Sequence, residues 1–257
     1  MKISIGAGLA ALALVLAGCG SDENNSAAAN GSETGQGFNP SGGAKNVPAR
    51  NSGNWVETVS QTPEGGVRMG NPDAPVKLVE YASITCGHCA AFSNEASEPL
   101  KSNYVRSGQV SWEYRPFLVF PTDPGIFMLL RCQPPSAFFR LTEQLYRDHG
   151  NWSGRLADVS EAERQQLQTM PPPQRAAALV RAVGLDQFFR QRGMPEARIN
   201  SCLANQGDLE ALTSITERAA GEEGVTGTPT FFINGEQVPN AGTWGALEPI
   251  LRSRIGG

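Results

Sequence analysis

Cys86-Gly87-His88-Cys89 is the segment of this chain whose residue types and spacing could do chemistry. Two cysteines with two residues between them, on a first helical turn, bring their sulfurs within disulfide range. At a helix start, unpaired backbone N–H groups and the positive end of the helix dipole would stabilise a thiolate at Cys86. His88 adds a polarisable, sometimes cationic neighbour that favours the thiolate further. Stabilising the reduced form makes the disulfide a better oxidant, so the motif reads as a redox pair. A zinc knuckle and a purely structural bridge are the alternatives. Zinc would need two more ligands, and Cys132, Cys202 and His149 offer no second close pair, so no metal is expected. His149, beside Gly150 and Asn151, reads as a solvated helix-end residue.

The elements that must position this motif are legible on either side of it. Val76-Lys77-Leu78-Val79-Glu80-Tyr81-Ala82 reads as a largely buried strand after the turn chemistry of Asn71-Pro72-Asp73-Ala74-Pro75. A helix follows from about Gly87 to Arg106, with Phe92, Ala96, Leu100 and Tyr104 at i+4 spacing. Pro99 should kink it and Gly108 should stop it. Trp55 to Val59 and Val67 to Met69 look like strands, as does Val110 to Pro116. From Pro124 to about Gly224 the signal turns helical, broken at Pro134-Pro135 and Pro171-Pro172-Pro173. Thr230-Phe231-Phe232-Ile233 and Glu236-Gln237-Val238 return to strand around an Asn234-Gly235 turn. A helix from Thr243 to Arg254 closes the chain.

Five cysteines in 257 residues leave one over if the others pair. Lys2 followed by the apolar run Ile3 to Ala17 reads as a secretory signal, since a bilayer span needs about 20 apolar residues. Its Leu16-Ala17-Gly18-Cys19 ending resembles a bacterial lipobox, which implies cleavage after residue 18 and lipid on Cys19. An ordinary cleaved signal with a free Cys19 is the alternative. Residues 20–54 are rich in Ser, Asn, Gly and Ala and read as a flexible tether reaching ~30–35 Å. Export places the other cysteines where disulfides persist. A net charge of −4 argues against a nucleic-acid partner.

Three motifs, in this order, resemble the DsbA-like branch of the thioredoxin-fold thiol–disulfide oxidoreductases. They are Gly70-Asn71-Pro72-Asp73-Ala74-Pro75-Val76, Cys86-Gly87-His88-Cys89, and Gly224-Val225-Thr226-Gly227-Thr228-Pro229-Thr230. The resemblance implies an α/β chain whose thioredoxin fold, residues 55–120 and 224–257, carries an inserted all-helical domain, residues 121–223. It implies a cis Pro229 facing the active-site sulfurs, with Gly227 and Thr228 offering backbone groups to a substrate peptide. It makes Glu80 an internal acid beneath Cys89, able to exchange a proton with it. Cys132 and Cys202 look like the second disulfide some relatives carry; two buried free thiols are the alternative.

The partners so implied are reduced or unfolded exported proteins, a membrane redox protein for reoxidation, and a membrane through the lipid anchor. No cofactor is expected, and the chain is expected to be monomeric and periplasmic. Gly-His between the cysteines and Thr228 before the proline are closer to disulfide isomerases than to DsbA itself, which carries Pro-His. Isomerase or reductase activity, or a non-catalytic peptide-binding module, are therefore the competing readings.

Overall fold

A computed structural model describes residues 53–256. The signal-like segment, Cys19 and the tether up to residue 52 lie outside the described residues. Within them, six strands form one mixed sheet: β1 (Val59–Gln61), β2 (Val67–Gly70), β3 (Val76–Ala82), β4 (Val110–Pro116), β5 (Thr230–Ile233) and β6 (Glu236–Val238). Their spatial order is β1-β2-β4-β3-β5-β6. Only β3 and β4 are parallel, with Leu78 opposite Trp112 and Glu80 opposite Tyr114. A parallel pair needs a crossover, and α1 (Gly87–Pro99) supplies it.

Alternation along β3 divides the core. Val76, Leu78, Glu80 and Ala82 face α1, where Phe92, Ala96 and Leu100 are wholly buried and the Phe92 ring lies 4.6 Å from that of Phe231. Tyr81 points to the opposite face, into a second cluster with Phe117, Ile215, Ala219 and Phe232. Pro99 lacks an N–H for the helical ladder. The chain then continues as a π-helical segment, Leu100–Val105, in which Arg106 N–H bonds the Lys101 carbonyl. Gly108 ends it with φ +83°, and a Cβ there would lie 2.6 Å from the Trp55 indole nitrogen. That packing also corrects the reading of Trp55 to Val59 as a strand. Burying the Trp55 ring turns Trp55–Glu57 into a single 3-10 turn, and pairing begins only at Val59.

The helical insertion comprises α2 (Asp123–Arg131), α3 (Pro135–Arg147), α4 (His149–Ser153), α5 (Glu161–Thr169), α6 (Pro172–Ala182), α7 (Leu185–Arg190), α8 (Glu196–Leu203) and α9 (Gln206–Gly221). Pro124, Pro135 and Pro172 fall in first turns, where a missing N–H costs nothing. Cys132, at the end of α2, is disulfide-bonded to Cys202 in α8, with their Cα atoms 6.1 Å apart. Helix α3 lays Phe138 and Phe139 against Tyr114 and Trp112 of the sheet. Helix α9 covers the opposite face through Ile215 and Ala219. After the Asn234-Gly235 turn, both residues at positive φ, α10 (Trp244–Ile255) packs beside α1.

Candidate active site

Cys86 caps the N-terminus of α1, with an extended backbone (φ −77°, ψ 121°). Cys89 lies one turn on, wholly buried, while Gly87 and His88 between them are exposed. The two thiols occupy opposite electrostatic environments. The Cys89 thiol, with the backbone N–H groups of His88 and Cys89, donates to Cys86 and brings its pKa down to about 5, against burial. Burial pushes the Cys89 thiol well up, and the neighbouring Cys86 and Glu80 charges push it further. One sulfur is a ready thiolate and the other a proton-holding thiol.

Across from them the Thr228-Pro229 peptide is cis. The Thr228 carbonyl accepts a hydrogen bond from the protonated Cys86 thiol at 3.4 Å. Gly227 and Thr228 are half-buried, with the Gly227 carbonyl held by the Thr230 hydroxyl at 2.7 Å. The loop leading to Pro229 is tied to the sheet through Glu223, which accepts from the Tyr81 hydroxyl at 2.8 Å.

Glu80 is only 1% exposed and lies on the α1 face of β3. Desolvation raises its pKa to about 8, against a hydrogen bond from the Trp112 indole N–H at 3.0 Å. It faces a small cavity lined by Ser93, Trp112, Tyr114, Phe139, Thr142, Glu143 and Tyr146. Glu80, Cys86, Cys89, Thr228 and Pro229 are thus brought to one end of the sheet. His88 stands beside them with its side chain toward solvent, whereas Cys132 and Cys202 form their own bridge within the insertion.

Residues of the insertion also reach this end of the sheet. Asp123, wholly buried at the start of α2, accepts from the Ser83 hydroxyl, the Thr85 hydroxyl and the Thr85 N–H, at 2.8 to 3.1 Å. The same carboxylate accepts from the Val119 and Phe120 N–H groups. Tyr146 of α3 donates to the Ser83 carbonyl at 3.0 Å, and its hydroxyl meets that of Tyr114 at 2.7 Å. His149, at the start of α4, places Nε2 at 2.9 Å from the Thr85 carbonyl. It is therefore a half-buried neighbour of the redox motif, not a solvated helix end. In the sequence the helical stretch begins at Pro124, with nothing to single out Asp123, and His149 reads as a helix end. Neither pattern carries information about a loop forty or sixty residues away.

Residues 62–252 match the sequence model of a family described as thioredoxin. The chain belongs to the thioredoxin family. Among solved members, a protein-disulfide isomerase from Novosphingobium aromaticivorans is 33% identical, with a TM-score of 0.71. That likeness covers 74% of this chain and 97% of the other. The α-DsbA1 of Wolbachia pipientis is 18% identical, with a TM-score of 0.61 over 76% of this chain and 94% of its own. At that identity the likeness is one of fold, a thioredoxin unit with an inserted helical domain. A Rickettsia bellii protein named for protein-disulfide oxidoreductase activity is 25% identical over 178 residues. That alignment takes in 69% of this chain, and the chain spans 60% of the length of that relative. Among the described residues of this thioredoxin-family chain, no helix is long and apolar enough to cross a membrane. No described cluster of His, Cys, Asp or Glu is arranged to hold a metal ion.

Proposed function

We propose that this chain is a protein thiol–disulfide oxidoreductase of the bacterial cell envelope, using Cys86 and Cys89 to oxidise exported substrate proteins. The observation that carries this reading is the asymmetry of the pair: Cys86 with a pKa near 5, Cys89 buried with a raised pKa. A substrate thiolate attacks the Cys86 sulfur of the oxidised pair, forming a mixed disulfide and expelling Cys89. Glu80, largely protonated at neutral pH with a pKa near 8, supplies the proton the Cys89 thiolate needs. A second substrate thiolate then attacks the substrate sulfur of the mixed disulfide and expels Cys86. Its low pKa makes it a good leaving group. The substrate gains a disulfide, and its two electrons stay on Cys86 and Cys89.

Gly227 and Thr228, beside the cis Pro229, hold an extended substrate segment by backbone pairing. His88, exposed between the two cysteines, favours the Cys86 thiolate whenever its ring is cationic. Cys132–Cys202 is a structural bridge, the N-terminal segment exports the chain, and lipid on Cys19 anchors it. A membrane redox partner reoxidises the pair.

The test is oxidation of a reduced, unfolded protein by the stoichiometric oxidised chain, together with the reduction potential of the 86–89 pair against glutathione. A potential of about −120 to −180 mV, with activity abolished by Cys86→Ala, supports an oxidase or isomerase; about −270 mV supports a reductase. Isomerase action is the second reading, favoured by the 33% identical Novosphingobium relative and the Gly87-His88 dipeptide. Reactivation of a scrambled-disulfide substrate by the reduced chain, without net oxidant, separates it from the oxidase.

A further inference from the structure

We propose that His149, contributed by the helical insertion, is a positioning residue for the Cys86 thiolate and acts through the Thr85 carbonyl. The inference rests on the exchange reading above, but the properties that test it belong to the dithiol alone.

The geometry is specific. The Thr85 carbonyl and the Cys86 N–H belong to one peptide plane, and that plane sets where Cys86 enters the first turn of α1. Both of its polar ends are held: Cys86 N–H donates to the Ser83 carbonyl at 3.2 Å, and the Thr85 carbonyl faces His149 Nε2 at 2.9 Å. A carbonyl only accepts, so Nε2 carries the proton. In the neutral ring Nδ1 is then the acceptor, and the Ser153 hydroxyl lies 3.5 Å from it. The Trp152 ring stands edge-on to the imidazole, with centroids 5.2 Å apart. Trp152 is itself buried, with its N–H on the Leu145 carbonyl at 2.9 Å. The ring therefore has a wall behind it and a fixed carbonyl in front.

The same ring lies over the motif itself: a Cβ on Gly87 would be 3.9 Å from His149 Cε1. Losing the donor leaves the Thr85-Cys86 plane held only by the Cys86 N–H bond to Ser83, which loosens the alignment of the Cys86 sulfur with the N–H groups of His88 and Cys89. Those groups lower its pKa. Holding that alignment makes the reduced pair more stable and the disulfide more oxidising when His149 is present.

The test uses the whole chain and three variants: His149→Ala, His149→Phe and His149→Gln. The Phe variant keeps a ring against Trp152 without a donor, and the Gln variant keeps a donor without a titratable ring. Two readouts are taken: the Cys86 pKa from the ultraviolet absorbance of its thiolate, and the equilibrium constant of the 86–89 disulfide with glutathione. We expect Ala and Phe to raise the Cys86 pKa and to make the disulfide about three- to tenfold less oxidising. Gln should recover most of both. The proposal is overturned if Phe matches the wild-type chain within twofold, or if Gln is as impaired as Phe. If the wild-type chain fails to oxidise substrates, the exchange reading falls, while the differences among variants still decide the role of His149.

Discussion

The Trp112 indole N–H is 3.0 Å from the Glu80 carboxylate, and both residues are buried, two registers apart, in the parallel β3–β4 pair. The strand pairing sets Glu80 opposite Tyr114, so the indole two residues before Tyr114, on the same face of β4, reaches across to the acid. One hydrogen bond offsets part of the cost of a buried charge but not the whole of it, so the carboxyl holds its proton up to about pH 8. An acid of this pKa can give its proton to a thiolate and recover it within one turnover near neutrality.

Glu80 should make the protein less stable as pH rises. Its pKa is higher folded than unfolded, so the native state binds more protons between the two values, and stability falls across the window from about 4.5 to about 8. The variant Glu80→Gln removes this slope. Urea unfolding at pH 5 and pH 8.5 should show the variant gaining on the wild type at the higher pH, by roughly 2–5 kcal/mol. Equal pH dependence in the two proteins would contradict the assignment. Substrate oxidation by Glu80→Gln should slow most at the step that releases Cys89.

Cys89 should control the acidity of Cys86, because its thiol is the foremost donor to that sulfur. In Cys89→Ala the pH profile of Cys86 alkylation should move upward from a midpoint near 5 by about one unit or more. The linkage sign follows. A Cys86 pKa depressed on folding stabilises the reduced native state at high pH, and that stability is lost as pH falls from about 9 through about 5. A midpoint unchanged in Cys89→Ala would assign the acidity to Thr228 and the helix start instead.

A largely buried apolar run after a turn made β3 legible, and the i+4 apolar rows made α1 legible, because both patterns are written locally. The redox pair was equally readable, since Cys86 and Cys89 are partners within one turn. What the sequence left hidden depends on distant residues meeting. Trp55 opened a short run rich in β-branched residues, yet its ring is captured by the Gly108 turn. Asp123 carries no signal of its own in the sequence, yet it serves the Ser83–Thr85 loop forty residues earlier. His149 read as solvent-facing because Gly150 and Asn151 surround it, whereas its partner is the Thr85 carbonyl.

Asp123 should be among the costliest single positions to truncate. Its carboxylate takes five hydrogen bonds, three of them from backbone N–H groups at Thr85, Val119 and Phe120. Asp123→Ala strands those donors in a buried site, which should cost about 3–5 kcal/mol in denaturant unfolding. Asp123→Asn keeps one acceptor oxygen and should cost roughly half as much. If Ala were neutral, the insertion would not be gripping the loop that precedes Cys86.

The Cys132–Cys202 bridge should contribute stability without touching the exchange chemistry. It joins the end of α2 to α8 across a sequence separation of 70, inside the insertion and apart from the Cys86–Cys89 end of the sheet. Cross-linking distant positions restricts the unfolded chain, so Cys132→Ser/Cys202→Ser should lose roughly 2–5 kcal/mol. The potential of the 86–89 pair should stay the same, because no group that tunes Cys86 or Cys89 is a partner of the bridge. Thiol counting gives an independent check: with residue 19 blocked or absent, the oxidised protein should expose no free thiol and the mildly reduced protein two. Four thiols after mild reduction would mean that the second bridge is labile, and a shifted 86–89 potential in the double variant would mean that it takes part in the redox chemistry.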